Sequence, residues 1–275
     1  MKPFCYHDGK ILPTEKATLP VTDLAVLRGY GVFDFLKTVN GKPFLWKEHW
    51  RRFQRSAKLL GLPIPLPEKA VREAVAKLLA KNAGEDCNIR LLLTGGVARA
   101  GLLVDKPLLY IFSEPIQPLP GKVFEKGAKV IRRPHERVVP EAKTTEYLEA
   151  VRQQKARIRA GAIEILYVVE GRVLECTTSN FFIVKGDRVI TAREGVLLGT
   201  TRNLVIDLAK RAGIVVEERD VSEAELAAAD EAFLTATNKN IVPVVRVDDL
   251  TIGRGKPGTV TRRLMTLFAD YMARH

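Results

Sequence analysis

The chain has 275 residues, with 44 Lys and Arg against 32 Asp and Glu, and a formal net charge of +12 at pH 7. This length is enough to bury a substantial core, as one large domain or as two of ordinary size. Hydrophobic residues make up 46% of the chain, but no run approaches the roughly 20 apolar residues that a membrane-spanning helix needs. We therefore expect no integral membrane segment.

The N-terminus and the cysteines indicate a reducing compartment. Residues 1–8 contain no apolar stretch followed by a small-residue cleavage site, which predicts no secretory signal. Cys5, Cys87 and Cys176 are far apart and odd in number, so they form neither a disulfide framework nor a zinc-ligand spacing. We expect reduced cysteines, no metal site and a cytoplasmic location.

The positive charge admits a nucleic-acid-binding module as a function class. The basic residues, however, are dispersed and interleaved with acidic ones, as in residues 68–81, and no basic stripe with interleaved aromatics is visible. This distribution favours a small anionic substrate or cofactor over nucleic acid.

The first third of the chain has the pattern of a mixed α+β unit. Short strands and turns come first, and helices are predicted at 46–60 and 68–82, where apolar residues recur at helical spacing. Gly61 follows the end of the first helix. Strands are predicted at 87–94 and 108–112.

Three prolines between residues 113 and 121 predict an interdomain linker. We expect a smaller N-terminal domain over 1–115, a linker over 116–121 and a larger domain over 122–275. The elements predicted beyond the linker are a strand at 128–132, a helix at 147–160, strands at 163–169 and 181–184, a helix at 201–212, a strand at 231–235 and a helix from Thr259.

Lys143 is the first candidate for chemistry. It lies between an extended, proline-containing segment and the predicted start of a helix. The positive end of a helix and burial both favour a neutral amine, which is the form that attacks an aldehyde to make a Schiff base. Lys143 is therefore a candidate covalent anchor, and a solvated lysine beside a Thr-capped helix is the alternative.

Glu175 is the second candidate, because it follows a turn at 170–172 and precedes several short polar side chains. A carboxylate can pair with a pyridine nitrogen and keep it protonated, which makes the ring an electron sink. Thr178, Ser179 and Asn180 offer polar groups beside it. The alternative is a surface residue, because a glutamate at the end of a strand usually faces solvent.

Two further turns carry hydroxyl groups. Residues 199–202 open a predicted helix, whose free amides and dipole suit a phosphate, although an ordinary Thr-capped helix is the alternative. Residues 235–238 form a second hydroxyl-rich turn. Arg28 and Arg90 stand in apolar surroundings, where an arginine either faces solvent or binds a carboxylate with its planar fork.

In chain order these motifs resemble those of the fold-type IV pyridoxal-phosphate enzymes, which include branched-chain aminotransferases, D-amino-acid transaminases and aminodeoxychorismate lyases. The resemblance covers nearly the whole chain and rests on residues 28–34, 48–53 with 56–58, 142–145, 175–182, 199–202, and 235–237 with 241–243. It implies an α+β fold of two domains, a smaller N-terminal α/β domain and a larger, pseudo-barrel-like C-terminal α/β domain. It also implies pyridoxal 5'-phosphate as the cofactor and a homodimer with active sites at the interface.

The resemblance also implies roles for individual residues. Lys143 would form the Schiff base and then carry the proton, and Glu175 would hold the pyridine nitrogen. The other implied cofactor-binding residues are Arg52, Thr178, Ser179, Asn180, Gly199, Thr200, Thr201 and Thr237. The implied substrate-binding residues are Arg28, Tyr30, Phe33, Arg90, Thr237 and Asn238. Phe53 stands where the family pattern has a leucine after the arginine.

Residues 28–37 and 140–145 are most similar to a less typical group of D-amino-acid transaminases, in which two arginines replace the carboxylate clamp of the better-known bacterial enzymes. The Arg-x-His pattern of that clamp is absent, because the second residue after Arg99 is Gly101 and not a histidine. The resemblance implies ping-pong transfer between a D-amino acid, such as D-alanine or D-glutamate, and 2-oxoglutarate. Arg90 would bind the carboxylate, with Arg28 from the neighbouring subunit. An L-branched-chain transaminase and an aminodeoxychorismate lyase are the alternatives.

Overall fold

The computed structural model describes residues 1–82, 84–99 and 101–275. The chain divides into two compact units. Unit 1 comprises Met1–Gln117 and Ala142–Glu146, and unit 2 comprises Pro118–Glu141 and Tyr147–His275. The division after Gln117 falls inside the predicted linker, but residues 142–146, which the linker prediction places in the larger domain, group with unit 1. No helix within the described residues has the length and hydropathy needed to cross a membrane.

Unit 1 is built on an antiparallel sheet. Its elements are β1 Phe4–His7, β2 Lys10–Pro13, a 3-10 turn Thr14–Lys16, α1 Leu24–Arg28, β3 Gly31–Val39, β4 Lys42–Pro43, α2 Trp46–Leu59, α3 Glu68–Lys81, β5 Cys87–Thr94, β6 Val97–Arg99, β7 Leu103–Lys106 and β8 Leu109–Pro115. The strand order is β2-β1-β8-β5-β3-β4, and β6 and β7 pair with each other. The predicted helices and strands of this region are confirmed, although β8 runs past residue 112 to Pro115.

One face of this sheet forms the core of unit 1. Val32 and Leu36 of β3 and their neighbours on β5 pack against Trp50 and Phe53 of α2 and against the apolar stripe of α3. Helical spacing of apolar residues places them on one side of each helix. Because strand side chains alternate between faces, Phe33, on β3, projects from the opposite face.

Residues 143–145 extend the sheet of unit 1 along the first half of β3. Phe33 N donates to Lys143 O at 2.9 Å, and Thr145 N donates to Gly31 O at 2.9 Å. A Cβ at Gly31 would stand 2.9 Å from the carbonyl oxygen of Leu93, so a glycine suits this close approach. This pairing explains why residues 142–146 group with unit 1.

Unit 2 is built on a larger mixed sheet with helices. Its elements are α4 Gly121–Lys126, β9 Ala128–Arg133, α5 Leu148–Arg152, α6 Gln154–Arg159, β10 Glu164–Val169, β11 Arg172–Cys176, β12 Asn180–Lys185, β13 Arg188–Thr191, α7 Thr200–Arg211, β14 Val215–Glu218, β15 Val221–Ser222, α8 Glu223–Ala227, β16 Glu231–Ala236, β17 Asn240–Val247, β18 Leu250–Thr251 and α9 Thr259–Ala273. The predicted helix at 147–160 is present as two short helices that meet at Gln153.

The sheet of unit 2 closes on itself. The strand order is β14-β13-β12-β16-β17-β9-β10-β11-β15, and β11 also pairs with β12 through Glu175 and Asn180. Strands β12, β16, β17, β9, β10 and β11 therefore form a ring, which is the pseudo-barrel that the resemblance implies. Buried side chains such as Val130, Leu166 and Leu234 form one hydrophobic core of this unit.

Candidate active site

Lys143 is held in an extended segment of unit 1. Its N–H donates to Ser56 Oγ at 3.0 Å, and its carbonyl oxygen accepts from β3. The next helix, α5, begins only at Leu148. The predicted helix start near residue 147 is confirmed to within one residue, and Lys143 lies before it in a segment that pairing with β3 keeps extended.

The side chain of Lys143 lies over an aromatic ring. Its Nζ is 4.7 Å from the centroid of Phe33, which is nearly fully buried. A cation over a ring face is attracted by the ring quadrupole. This contact places the amine beside the buried Phe33 ring of β3.

Arg52, the predicted phosphate ligand on α2, is fixed by the fully buried carboxylate of Asp34. Nε and Nη2 of Arg52 donate to Oδ2 and Oδ1 of Asp34, each at 2.8 Å, and His49 Nδ1 lies 2.6 Å from Oδ1. Burial alone would raise the pKa of Asp34, but Arg52 and His49 outweigh it and hold the pKa well below its usual range. Burial lowers the pKa of His49. Within the described residues, Nη1 of Arg52 has no acceptor.

Glu175 is a buried carboxylate with several donors in unit 2. Arg137 donates to its Oε1 through Nε at 3.0 Å and also through Nη2, Leu197 N donates at 3.1 Å, and Asn180 Nδ2 donates to Oε2 at 3.2 Å. An adjacent guanidinium and a backbone amide both favour the ionised form. Sequence reasoning missed Arg137, and the available signal was its place in the proline-flanked segment that leads to Lys143.

The start of α7 is close to Asn180. Asn180 Nδ2 donates to Leu197 O at 2.6 Å, and a Cβ at Gly199 would lie 2.2 Å from Asn180 Oδ1. Gly199 is the N-cap and supplies no side-chain cap, while Thr200 and Thr201 are buried in the first turn. Helix α7 thus begins without a side-chain N-cap, an arrangement that suits a phosphate.

The polar residues after Glu175 contact a carboxylate that the sequence analysis did not single out. Thr177, Thr178 and Ser179 all donate their hydroxyls to the buried Glu164, and Lys239 Nζ lies 2.7 Å from it. Thr178 and Ser179, predicted to bind the cofactor directly, are therefore engaged within unit 2.

The second hydroxyl-rich turn joins β16 to β17. Thr237 is half-buried and Asn238 is exposed in this turn. Thr235, just before it, faces Asn180 across the strand pair, and among the described residues its buried Oγ1 has no hydrogen-bond partner.

Arg90 lies in a cage of aromatic rings in unit 1. Its guanidinium carbon is 5.0 Å from the centroid of Phe33, 4.8 Å from that of Phe35 and 5.8 Å from that of Phe112. Its Nε donates to Glu114 Oε1 at 3.0 Å, and neither Nη has an acceptor within the described residues. The structure thus brings both Arg90 and Lys143 against the ring of Phe33.

The other predicted substrate residues lie outside this cage. Arg28 is the exposed last residue of α1, and its Nη1 donates to Leu27 O at 2.8 Å. Tyr30 donates its hydroxyl to Leu60 O. Within the described part of the chain, no hydrogen bond or ring contact joins Arg28 to Arg90.

Comparison with known proteins assigns the chain to a family. Residues 31–247 match the family model Amino-transferase class IV. The chain is 35% identical to a putative branched-chain-amino-acid aminotransferase of Methanocaldococcus jannaschii, over 96% of this chain and 95% of that protein. It is 30% identical to a D-alanine aminotransferase of Listeria monocytogenes, over 97% of this chain and 95% of that protein.

Solved structures share the whole fold. A branched-chain amino acid aminotransferase solved with pyridoxamine 5'-phosphate superposes with a TM-score of 0.91 at 27% identity, covering 100% of this chain and 96% of that chain. The Escherichia coli branched-chain amino acid aminotransferase gives a TM-score of 0.90 at 27% identity, covering 99% of this chain and 95% of that chain.

The donor types in the chain fit the cofactor of this family. A helix N-terminus can bind a phosphate, a carboxylate can pair with a protonated pyridine nitrogen, and an amine can bind an aldehyde covalently. The start of α7, Glu175 with its Arg137 partner, and Lys143 supply these three groups. The chain belongs to the class IV aminotransferases and is a pyridoxal-phosphate-dependent transaminase of fold type IV.

Proposed function

We propose that this transaminase moves an amino group between a D-amino acid, such as D-alanine or D-glutamate, and 2-oxoglutarate. The observation that carries the proposal is the aromatic cage of Arg90. A guanidinium held by rings, with both Nη groups lacking an acceptor among the described residues, is prepared to bind a carboxylate with its planar fork. The D-alanine aminotransferase of Listeria monocytogenes, similar over nearly the whole chain, supports the same substrate class.

A branched-chain L-amino acid is the second candidate donor. Phe33, Phe35 and Phe112 present apolar rings beside Arg90, which suits a branched aliphatic side chain. The Methanocaldococcus jannaschii relative, a putative branched-chain-amino-acid aminotransferase, favours this donor.

We assign the cofactor contacts as follows. Glu175 would hold the protonated pyridine nitrogen, and Arg137, which donates to its Oε1 at 3.0 Å, would favour the negative charge of the carboxylate. Asn180 fixes Glu175 and the segment before α7. The phosphate-binding residues in this proposal are Arg52, Gly199, Thr200, Thr201 and Thr237.

Pyridoxal phosphate supplies an electron sink and carries the amino group between the two half-reactions. Lys143 would hold the cofactor covalently in the resting enzyme. Once released, its Nζ would remove the proton from the α-carbon of the amino donor, and in the second half-reaction it would deliver a proton to the α-carbon of the keto acid that becomes the new amino acid. Arg90 orients the substrate carboxylate. Thr237 and Asn238, which belong to the β16–β17 turn, contact the substrate. Phe33, in contact with both Lys143 and Arg90, keeps the amine and the carboxylate partner in a fixed relation.

We further propose a homodimer in which Arg28 enters the neighbouring active site. Around α1 and the β6–β7 hairpin, unit 1 exposes the large apolar side chains Leu19, Val21, Val26, Leu27, Val97, Leu102 and Leu103. Such a patch on a soluble protein marks an interaction surface. Arg28 ends α1 within this patch, so a second copy that covers the patch also receives Arg28.

The first experiment follows the cofactor absorbance of the purified holoenzyme through one half-reaction, with D-alanine or L-leucine and no keto acid. Loss of the resting absorbance band with D-alanine only is the expected result. Loss with L-leucine only would move the protein to the branched-chain class. Lys143→Ala serves as the control, because it cannot form the covalent bond that gives the resting band.

A subunit-mixing experiment tests the dimer and the origin of Arg28. Lys143→Ala and Arg28→Ala proteins, each nearly inactive alone, are mixed after partial denaturation. If Arg28 acts in the neighbouring site, hybrid dimers contain one intact site, and roughly a quarter of wild-type activity returns. No recovery, in a mixture shown to contain hybrids, would place Arg28 in its own subunit's site or outside the site.

A further inference from the structure

A buried ion pair with three hydroxyl donors lies at one end of the strands of unit 2. We call Glu164, Thr177, Thr178, Ser179 and Lys239 the Glu164 cluster. Thr177 donates to Oε2 of Glu164, and Thr178, Ser179 and Lys239 donate to Oε1, with Ser179 at 2.8 Å and Lys239 at 2.7 Å. Lys239 Nζ is also 2.8 Å from Thr178 Oγ1.

The two charged groups of the cluster are withdrawn from water. The side chains of Glu164 and Lys239 are 3% and 12% exposed. Burial alone would raise the pKa of Glu164, but Lys239 and the hydroxyl donors outweigh it and hold the pKa below its usual value. A buried charge pair of this kind is expensive to desolvate, so it stabilises the fold only modestly. A role in fixing the positions of the segments that it joins explains the Glu164–Lys239 pair better.

The cluster joins two turns that are far apart in the chain. Glu164 begins β10 and binds all three hydroxyls of the β11–β12 turn, residues 177–179, which separates Glu175 from Asn180. Lys239 belongs to the β16–β17 turn, residues 237–239, and its N–H donates to Ala236 O at 3.2 Å. The ion pair therefore links the turn beside Glu175 to the turn that carries Thr237 and Asn238.

We propose that Glu164 and Lys239 are positioning residues that hold the β16–β17 turn in register with the β11–β12 turn, so that Thr237 and Asn238 meet the substrate while Glu175 holds the cofactor. The inference rests on the proposed roles of Thr237, Asn238 and Glu175. It adds two residues that touch neither substrate nor cofactor and act through the position of these turns. Thr178 and Ser179 therefore help to position the two turns through their hydrogen bonds to Glu164.

The test separates positioning from fold stability by means of a double variant. Lys239→Met leaves a buried carboxylate unpaired, and Glu164→Gln leaves a buried ammonium unpaired, so each single variant loses stability. The double variant Glu164→Gln/Lys239→Met leaves no buried charge, and its stability returns towards that of wild type. The link between the two turns is nevertheless lost.

Holoenzymes are compared by urea denaturation, by KM and kcat for the amino donor, and by hydrogen exchange of peptides that cover the two turns. We expect the double variant to keep near-normal stability while KM rises about 10- to 100-fold and kcat falls less, because the turn is misplaced. Amide exchange in residues 237–240 should increase. Lys185→Met, which removes the exposed ion pair with Asp230 in the same unit, is the matched control and should change none of these values.

A double variant with wild-type KM and unchanged exchange in residues 237–240 would overturn the proposal. Loss of kcat alone, in proportion to the fraction of folded enzyme, would overturn it as well, because that pattern reports stability only. If D-amino acids prove not to be substrates, KM is measured with the L-amino acid that is converted. The exchange measurement needs no substrate, so failure of the substrate proposal and failure of this inference are distinguishable.

Discussion

Arg52 donates two hydrogen bonds of 2.8 Å to Asp34, a carboxylate with no exposed surface, through Nε and Nη2, and its Nη1 has no acceptor within the described residues. An arginine with two of its three nitrogens engaged loses little conformational entropy when it binds an anion. The Asp34 contact therefore prepares Arg52 for the phosphate of the cofactor.

Asp34→Asn should weaken both folding and cofactor binding. The substitution removes one charge of a buried pair, at a cost of about 3 to 5 kcal/mol in the free energy of unfolding. It also loosens Arg52, so we expect the dissociation constant of pyridoxal phosphate to rise about 10- to 100-fold, the range for a charge-assisted hydrogen bond. Urea denaturation of the apoenzyme and cofactor titration measure the two effects. Glu48→Gln on the exposed side of α2 is the control, and an unchanged cofactor affinity in Asp34→Asn would remove Arg52 from the phosphate site.

Arg137→Met should destabilise unit 2 because Glu175 would keep a buried charge without its guanidinium partner. We expect a loss of about 3 to 5 kcal/mol in the free energy of unfolding. Arg137→Lys should recover only part of this loss, because an ammonium lacks the planar fork. Arg188→Met, which removes the surface pair with Glu217, should leave the unfolding curve unchanged. Equal unfolding curves for Arg137→Met and wild type would show that the contact between Arg137 and Glu175 does not contribute to the free energy of unfolding.

Arg90 and Glu114 should affect keto-acid binding in opposite directions. Arg90→Met removes the proposed carboxylate partner and should raise KM for 2-oxoglutarate about 10- to 100-fold. Glu114→Gln keeps an acceptor for Nε but removes the competing negative charge, so KM should fall about two- to threefold. Steady-state kinetics with varied 2-oxoglutarate measure both. If Arg90→Met leaves KM unchanged, the carboxylate role of Arg90 is wrong.

Gly199→Ala should disturb the start of α7. Gly199 has an ordinary backbone conformation, with φ at −63°, so the substitution acts only through its Cβ, which would lie 2.2 Å from Asn180 Oδ1. Asn180 is held by Glu175 and Leu197 and cannot move aside, so we expect a cost of about 1 to 3 kcal/mol and weaker cofactor binding. Gly121→Ala is the matched control, because a Cβ there meets nothing within 4 Å. Comparable cofactor affinities for the two variants would contradict the close packing at α7.

Acid should destabilise the protein through Asp34 and Glu164. Both carboxyl groups have folded pKa values below their ordinary ones, because their cationic and hydrogen-bonding partners outweigh burial. Their contribution is complete above the unfolded pKa values of about 4 and is lost as pH falls through the folded values. Urea denaturation between pH 3 and pH 7 should show this decline. The variant Glu164→Gln/Lys239→Met should show a shallower decline, and an identical slope would exclude Glu164 as a contributor.

The sequence by itself determined the local secondary structure and the class of cofactor. Helices α2 and α3 and strand β5 are predictable because the apolar spacing that buries one face is a property of neighbouring residues. The order of short motifs around Lys143, Glu175 and Gly199 indicated the cofactor class for the same reason, since each motif is contiguous.

Tertiary structure alone decided the contacts between distant segments. Arg137 and Glu175 are 38 residues apart, and Lys239 and Glu164 are 75 residues apart, so no local period relates them. The position of the extended Lys143 segment depends on hydrogen bonds to β3, which lies far earlier in the chain. Which polar side chains are satisfied internally and which remain available for a ligand depends on strand register and closure of the ring in unit 2, and neither is encoded in the spacing of any single segment.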